Sequence, residues 1–322
     1  MAHKGSYWLF GTHVLLLLTC LFHPRVARAW GDEGHRAIAT VAYDRLTAAS
    51  RQKVDAILAG EPITNAAVWP DKIRGGQHPG PLANTPEGKA FNKKFKNNSF
   101  WHYVDLPLGS KGYDQSPQFT STNDIIHALT LCIDVLEGRN HSMSNLEALR
   151  WVCHLVGDVH QPVHVACGYF EFNDQGDPHL RTNPELIVAH DLLSGDDKGA
   201  NRLRYTNTEN LHHYWDAVLV NHAASPHQLL NDVLTSHIAQ SHYRNRGNYR
   251  SWPVKWSKNS VAAARHAYQE IDFKDKLMDA GDWYISIDLP PGYQDSMVPV
   301  ATDQLSRAAF NLAALLNKIR WP

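Results

Sequence analysis

Histidine and aspartate are the residues of this chain best equipped for chemistry, and several fall at spacings that one ion could use. The densest run is His154-Leu-Val-Gly-Asp158-Val-His160-Gln-Pro-Val-His164. His154 and Asp158 are four residues apart, which puts both on one face of a helix. Pro162 is expected to end that helix and let His164 turn back toward the same face. The same spacing recurs in His212-His213-Tyr214-Trp215-Asp216. One such pair is commonly an ion pair or a core hydrogen bond; two pairs with a further histidine point to metal. Three smaller pieces carry the same residue types. Trp69-Pro70-Asp71 sets a carboxylate just after a proline turn. Phe100-Trp101-His102-Tyr103-Val104-Asp105 carries His102 and Asp105 on an aromatic, extended stretch, and His35 lies five residues after Trp30. Imidazole and carboxylate without thiolate suit zinc in an oxidising compartment, where no ligand is lost to a disulfide.

The elements that must position these groups read as mostly helical. Apolar periodicity predicts helices at 33–45, 48–59, 122–137, 144–160, 209–220, 227–240, 257–277 and 302–318. Thr47 and Ser144 are the expected N-caps, and Gly60 and Gly138 the expected stops. Residues 74–98, rich in Gly, Pro, Asn and Lys, read as a surface loop. Residues 163–208 hold β-branched and aromatic pieces between Asn-Asp, Gly-Asp and Asn-Pro turns, expected as a hairpin and a long loop. With no linker and no internal repeat, the expected architecture is mainly α. It is one helical domain with a small β-hairpin and long loops.

Composition narrows the class. The 322 residues are 43% hydrophobic and 20% charged, which excludes a disordered chain, a collagen-like repeat and a disulfide-dense mini-protein. The first 29 residues read as a secretory signal. Lys4 gives the basic start, Val14 to Phe22 the apolar run, and Ala27-Arg28-Ala29 the cleavage site, so that Trp30 becomes the first residue. No spanning run follows, so no transmembrane anchor is expected in the mature chain. Without Lys4, Arg25 and Arg28, 28 basic residues face 32 acidic ones, a net charge of −4 with His neutral. Such a chain is a poor electrostatic trap for nucleic acid, and phosphate would have to be drawn by bound metal. Cys132, Cys153 and Cys167 allow at most one internal bridge. Asn97-Asn98-Ser99 and Asn140-His141-Ser142 are glycosylation sequons that fit secretion.

These pieces, in this order, resemble the secreted zinc-dependent single-strand nucleases of fungi and plants and the related 3′-nucleotidases, with zinc phospholipases C as a more distant branch. The likeness covers nearly the whole chain from Trp30. It implies three zinc ions. One would take Asp71, His102, His154 and Asp158, and a second His164, His212 and Asp216. The third would take His35, Asp158 as a bridge, and the freed α-amino group and carbonyl of Trp30. His160 and His213, beside ligands, are expected to orient them.

The resemblance also implies the reaction: hydroxide between the first and third zinc attacks phosphorus while the second stabilises the departing 3′ oxygen. Asp105 would orient the attacking water and Arg74 would neutralise charge on the phosphate. Tyr103 would stack on the base. Asn201, in Gly199-Ala200-Asn201, would bind its edge, with Ala200 standing where the family has a second glycine. The expected substrates are single-stranded DNA and RNA and 3′-mononucleotides, acted on by a monomer that is secreted or held in the lumen of the secretory or endolysosomal pathway. Two alternatives stay open on residues alone: a zinc phospholipase C acting on lipid head groups, and a non-catalytic zinc-binding protein.

Overall fold

The computed structural model describes residues 30–224 and 228–322; the expected signal segment lies outside the described residues. The chain opens with α1 (Gly31–Asp44), α2 (Ala48–Leu58), α3 (Ile63–Ile73) and α4 (Pro86–Lys94). A 3₁₀ turn, Asn98–His102, leads to β1 (Leu106–Pro107). Next come α5 (Ile125–Leu136), α6 (Asn145–Asp158), α7 (Pro162–Val165), β2 (Ala166–Cys167), β3 (Tyr169–Phe172), β4 (Pro178–Arg181), α8 (Pro184–Ala189) and β5 (Leu203–Arg204). The last third holds α9 (Leu211–His213), α10 (Leu219–Ala223), α11 (Leu230–Gln240), α12 (Trp252–Ala267), β6 (Asp272–Asp279), β7 (Asp282–Asp288) and α13 (Tyr293–Leu316).

The architecture is mainly α, as expected, and α6 is its axis. From Ala148 to Asp158 every residue of α6 except Arg150 is buried. Its start is fixed by a capping box: Ser144 accepts from the Glu147 amide while the Glu147 carboxylate accepts from the Ser144 amide. Helices α1, α3, α5 and α13 pack around it. Thr47 caps α2 as expected, and Gly138, with φ +69°, follows the end of α5.

Four elements depart from expectation. Residues 63–73 form α3, with Pro70 inside it, so Asp71 sits in a last helical turn and not behind a proline turn. The expected loop 74–98 contains α4, started by Thr85 and by Pro86 at the first position, where a missing N–H costs nothing. Pro162 does not end α6, which stops at Asp158; it begins α7. The expected helix 257–277 runs from Trp252 to Ala267 and gives way to the β6–β7 hairpin. Its two-residue turn, Ala280–Gly281, has φ of +49° and +85°, the primed geometry that matches strand twist. Strand β6 is exposed along nearly its whole length, so it has no buried face to impose a period.

Candidate active site

The His–Asp pieces converge from distant parts of the chain. His35 comes from α1, Asp71 from α3, His102 from the 3₁₀ turn, and His154 and Asp158 from the last turns of α6. All five are buried. His102 Nδ1 lies 3.0 Å from His154 Nε2 and 3.1 Å from Asp158 Oδ2. Asp71 Oδ1 is 3.8 Å from the facing nitrogen of each imidazole. His35 stacks on His154 with ring centroids 4.0 Å apart, and its Nε2 is 3.2 Å from Asp158 Oδ1. Gly157 makes room for that ring: a Cβ there would meet the His35 imidazole at 2.7 Å.

A second cluster is built on shorter elements. His164 from α7 and His212 from α9 approach Nε2 to Nε2 at 3.1 Å, and Asp216 Oδ2 lies 3.2 Å from His212 Nε2. Asp216 falls in a π-helical segment, Tyr214–Val218, which interrupts the single helix expected over 209–220. The Gln161 amide donates to Asp216 Oδ1 at 2.7 Å, and the Trp30 backbone N–H reaches the same oxygen at 3.2 Å. Trp30 is fully buried, in a left-handed conformation with φ +48°, and its indole donates to the Gly157 carbonyl. Its own carbonyl accepts from the Gly34 amide. The clusters adjoin, because His164 Nδ1 donates to the backbone carbonyl of His102.

The imidazole tautomers decide what this arrangement can hold. His154, His164 and His212 each donate through Nδ1 to a carbonyl, of Ala67, His102 and Gly199 respectively. Their Nε2 lone pairs therefore face inward. Two such lone pairs 3.1 Å apart, on His164 and His212, need an electrophile, proton or metal cation, between them. The carboxylates are in the same position: both oxygens of Asp71, Asp158 Oδ1 and Asp216 Oδ2 are buried without a hydrogen-bond partner, as are both nitrogens of His35. Buried polar atoms are normally satisfied, so this concentration of orphans fits a cation site. The described residues include three groups of donor atoms close enough to share an ion: His35, Asp71 and His154; His102, His154 and Asp158; and His164, His212 and Asp216. The donor set of nitrogen and oxygen suits zinc.

Electrostatics follow the same division. Burial pushes His102 down to about 4. Against burial, the carboxylates of Asp158 and Asp71 raise His154 to about 9, and the imidazoles around Asp158 hold it well below the usual carboxylate range.

The remaining predicted residues lie beside or near the clusters. Arg74 caps the end of α3, its guanidinium 4.0 Å from Asp71 Oδ1 and its Nε buried without a partner. Tyr103 lies among Asp105, Asp196 and Arg74, and burial before all pushes its phenol up. Burial, then the charges of Asp196 and Asp197, push Asp105 up to about 8. Asn201 donates to the Lys198 carbonyl, which leaves its side-chain oxygen free for a ligand's donor. Lys198, Gly199 and Ala200 all have positive φ, so Ala200 adopts at φ +65° the backbone a glycine would favour.

Some expectations need correcting. His160 orients no ligand: it donates to the Val156 carbonyl and accepts from Asn311, tying α6 to α13. His213 faces Glu209. Cys132, Cys153 and Cys167 are buried and unbridged, which stays within the expected limit of one bridge. Sequence reasoning missed Gln161, Gly157 and Asp197. Asp197 is fully buried and accepts from the Ala200 amide and the Tyr268 hydroxyl, holding the loop that carries Gly199 and Asn201.

Helical walls, two buried His–Asp clusters that could hold metal and an aromatic flank fit a hydrolase. The S1/P1 Nuclease family model matches residues 30–320, and the chain belongs to that family. It is 26% identical to Nuclease S1 of Aspergillus oryzae over 311 residues, covering 90% of this chain and 91% of that protein. It is 24% identical to Endonuclease 2 of Arabidopsis thaliana over 330 residues, covering 96% and 98%, and 23% identical to Endonuclease 1 of the same plant. The chain is therefore a phosphodiester-cleaving enzyme, and the phospholipase and non-catalytic alternatives fall away. No helix among the described residues is long and apolar enough to cross a membrane.

Proposed function

We propose that the chain is a secreted, zinc-dependent endonuclease and 3′-nucleotidase that hydrolyses P–O3′ bonds of single-stranded DNA and RNA and leaves 5′-phosphorylated products. The observation that carries this reading is the convergence of donor atoms from His35, Asp71, His102, His154, Asp158, His164, His212 and Asp216, with buried unpartnered atoms on His35, Asp71, His102, Asp158 and Asp216. Three zinc ions are assigned to them, with Asp158 shared between two.

Zinc bound there would lower the pKa of water toward neutrality and neutralise charge on phosphate oxygens. The chain's own groups do the rest. Arg74, with an unpaired buried Nε, offers a hydrogen bond and a positive charge to a non-bridging oxygen. Asp105, buried beside Asp196, Asp197 and His212, would orient the attacking water. Tyr103 stacks on one unpaired base, whose face a duplex would hide. The side-chain oxygen of Asn201 accepts a hydrogen from the base edge.

Removal of residues 1–29 belongs to this reading. It would turn the buried Trp30 amide, which already points at Asp216, into an amine able to ligate. Phosphate release from 3′-AMP, with 5′-AMP as control, tests the proposal on protein beginning at Trp30. Release from 3′-AMP alone, abolished by chelation and restored by zinc, is the expected result. Activity unaffected by exhaustive zinc removal would overturn it.

A further inference from the structure

The stretch of chain leading into the cleft, from Pro86 to Tyr103, differs from the rest of the surface. Beyond residue 29 the chain is net acidic, yet between Lys72 and Asn98 six basic residues stand against one acid, Glu87. Glu87 is itself paired with Arg150. Lys89, Lys93, Lys94 and Lys96 are all exposed, and among the described residues none has an acidic partner. Four uncompensated lysines on and just after one short helix make a local positive potential that net charge conceals.

Phe100 is the second anomaly. It is 48% exposed, whereas Phe91 and Trp101 in the same stretch are buried. Its ring stands 6.0 Å from that of Tyr103, centroid to centroid, at 64°. Apart from that edge contact with Tyr103, the ring has no aromatic partner among the described residues.

Both features are held rigidly to the cleft. Asn98, fully buried, accepts from the Gly75 amide and donates to Asn92 and to the Phe95 carbonyl. Asn92 in turn donates to the Ile73 carbonyl. These bonds lock α4 and its tail against the segment that carries Arg74, so the lysines keep a fixed place relative to the His–Asp clusters.

We propose that this strip is a track for the polynucleotide strand beyond the nucleotide being cut. Phe100 is a second stacking platform next to Tyr103, and Lys93, Lys94 and Lys96 bind successive phosphates. The combination of a flat aromatic with flanking cations suits a single strand, whose bases are free to stack and whose backbone carries the charge. A 3′-mononucleotide occupies only the cleft and does not reach the strip. The inference rests on the nuclease reading above and concerns how that site selects polymer over monomer.

The test compares kcat/KM on a single-stranded oligonucleotide and on 3′-AMP, using zinc-loaded enzyme treated with an endoglycosidase, since a sugar on Asn97 would cover the strip. Phe100→Ala, and separately the triple variant Lys93→Gln, Lys94→Gln, Lys96→Gln, should each lower oligonucleotide kcat/KM about tenfold. Both should leave 3′-AMP turnover within about twofold of the parent. The triple variant should also flatten the salt dependence of oligonucleotide kcat/KM, by about 0.7 in log–log slope for each phosphate that is no longer neutralised. Phe100→Trp should restore oligonucleotide cleavage. Equal losses on both substrates, or none on the oligonucleotide, would overturn the track. Failure of the nuclease reading is distinguishable, because the parent enzyme would then release nothing from 3′-AMP and cut no strand.

Discussion

The two His–Asp clusters contain the same i,i+4 pair on different kinds of backbone. His154 and Asp158 close a regular, capped helix that is buried along its length, and their separation is 3.1 Å. His212 and Asp216, 3.2 Å apart, start on the three-residue α9 and end inside a π-helical segment. The first pair has the Ala67 carbonyl on His154 but is held above all by packing: α1 and α3 press against α6, and Gly157 lets the His35 ring lie on it. The second pair is held by single hydrogen bonds: Gly199 on His212, Gln161 and the Trp30 amide on Asp216. Packing spreads an orientation over many atoms, whereas a π-bulge re-aims one side chain and then relies on whatever hydrogen bond fixes it. The second cluster should therefore be more sensitive to loss of one polar group, and the first to loss of space.

The largest effect should come from Asp158→Ala, because Asp158 faces both His35 and the His102–His154 pair. Two of the three proposed ions should go, and turnover should fall roughly a thousandfold or more. Asp216→Ala should remove one ion and leave the α6 cluster loaded. Elemental analysis of zinc per chain, alongside 3′-AMP turnover, separates the two. Equal metal losses in both variants would mean that the clusters do not load independently.

Next in size is Gln161→Leu. It leaves every proposed ligand in place and removes the 2.7 Å bond that aims Asp216, together with the cap on the Val163 amide that starts α7, the element carrying His164. Zinc affinity at the second cluster should weaken about 10–100-fold, with the first cluster unchanged. Competition with a chromophoric chelator would show the loss as one weakened class of site; a uniform weakening of all zinc would count against the contrast drawn between the clusters. Gly157→Ala is the counterpart at the first cluster. Its methyl group would meet the His35 ring at 2.7 Å, so the expected result is a lower Tm and lost zinc at the His35 end.

How much of this was legible in the sequence follows the same contrast. Helices α1, α2, α5 and α6 could be read because their apolar period agrees with their packing, helped in α2 and α6 by the Thr47 and Ser144 caps, and the His154–Asp158 pair came with them. Helix α3 was hidden by Pro70, which reads as a break although the fold tolerates it. The π segment leaves no compositional trace, since it differs from α-helix only in its hydrogen bonds. Strand β6 has no buried face, but the Trp283-Tyr284-Ile285-Ser286-Ile287 alternation of β7 was a strand signal that lay between the expected helices 257–277 and 302–318 and was assigned to no element. Gln161 could not have been found: its partner is 55 residues away, and only the fold brings them together. The ligand types were recognisable because metal chemistry restricts them to a few residues, whereas almost any polar side chain can aim a ligand.

The smallest predicted effect tests the loop on which the second cluster leans. Asp197 is buried against the Gly168 and Ala200 amides and the Tyr268 hydroxyl. Burial outweighs those hydrogen bonds and pushes it up to about 7, against about 3.9 in an unfolded chain. Between those values the folded state keeps a proton that the unfolded state releases. Stability contributed by this group is therefore full below about 4, falls as pH rises toward 7, and changes no further above it. Asp197→Asn keeps an acceptor for the Ala200 amide and removes the titration. Thermal melts of zinc-loaded protein at pH 5 and pH 8 should show the parent losing more Tm than the variant. Parallel losses would mean that Asp197 ionises at its ordinary value and that the Gly199 carbonyl, hence His212, is held by the turn alone.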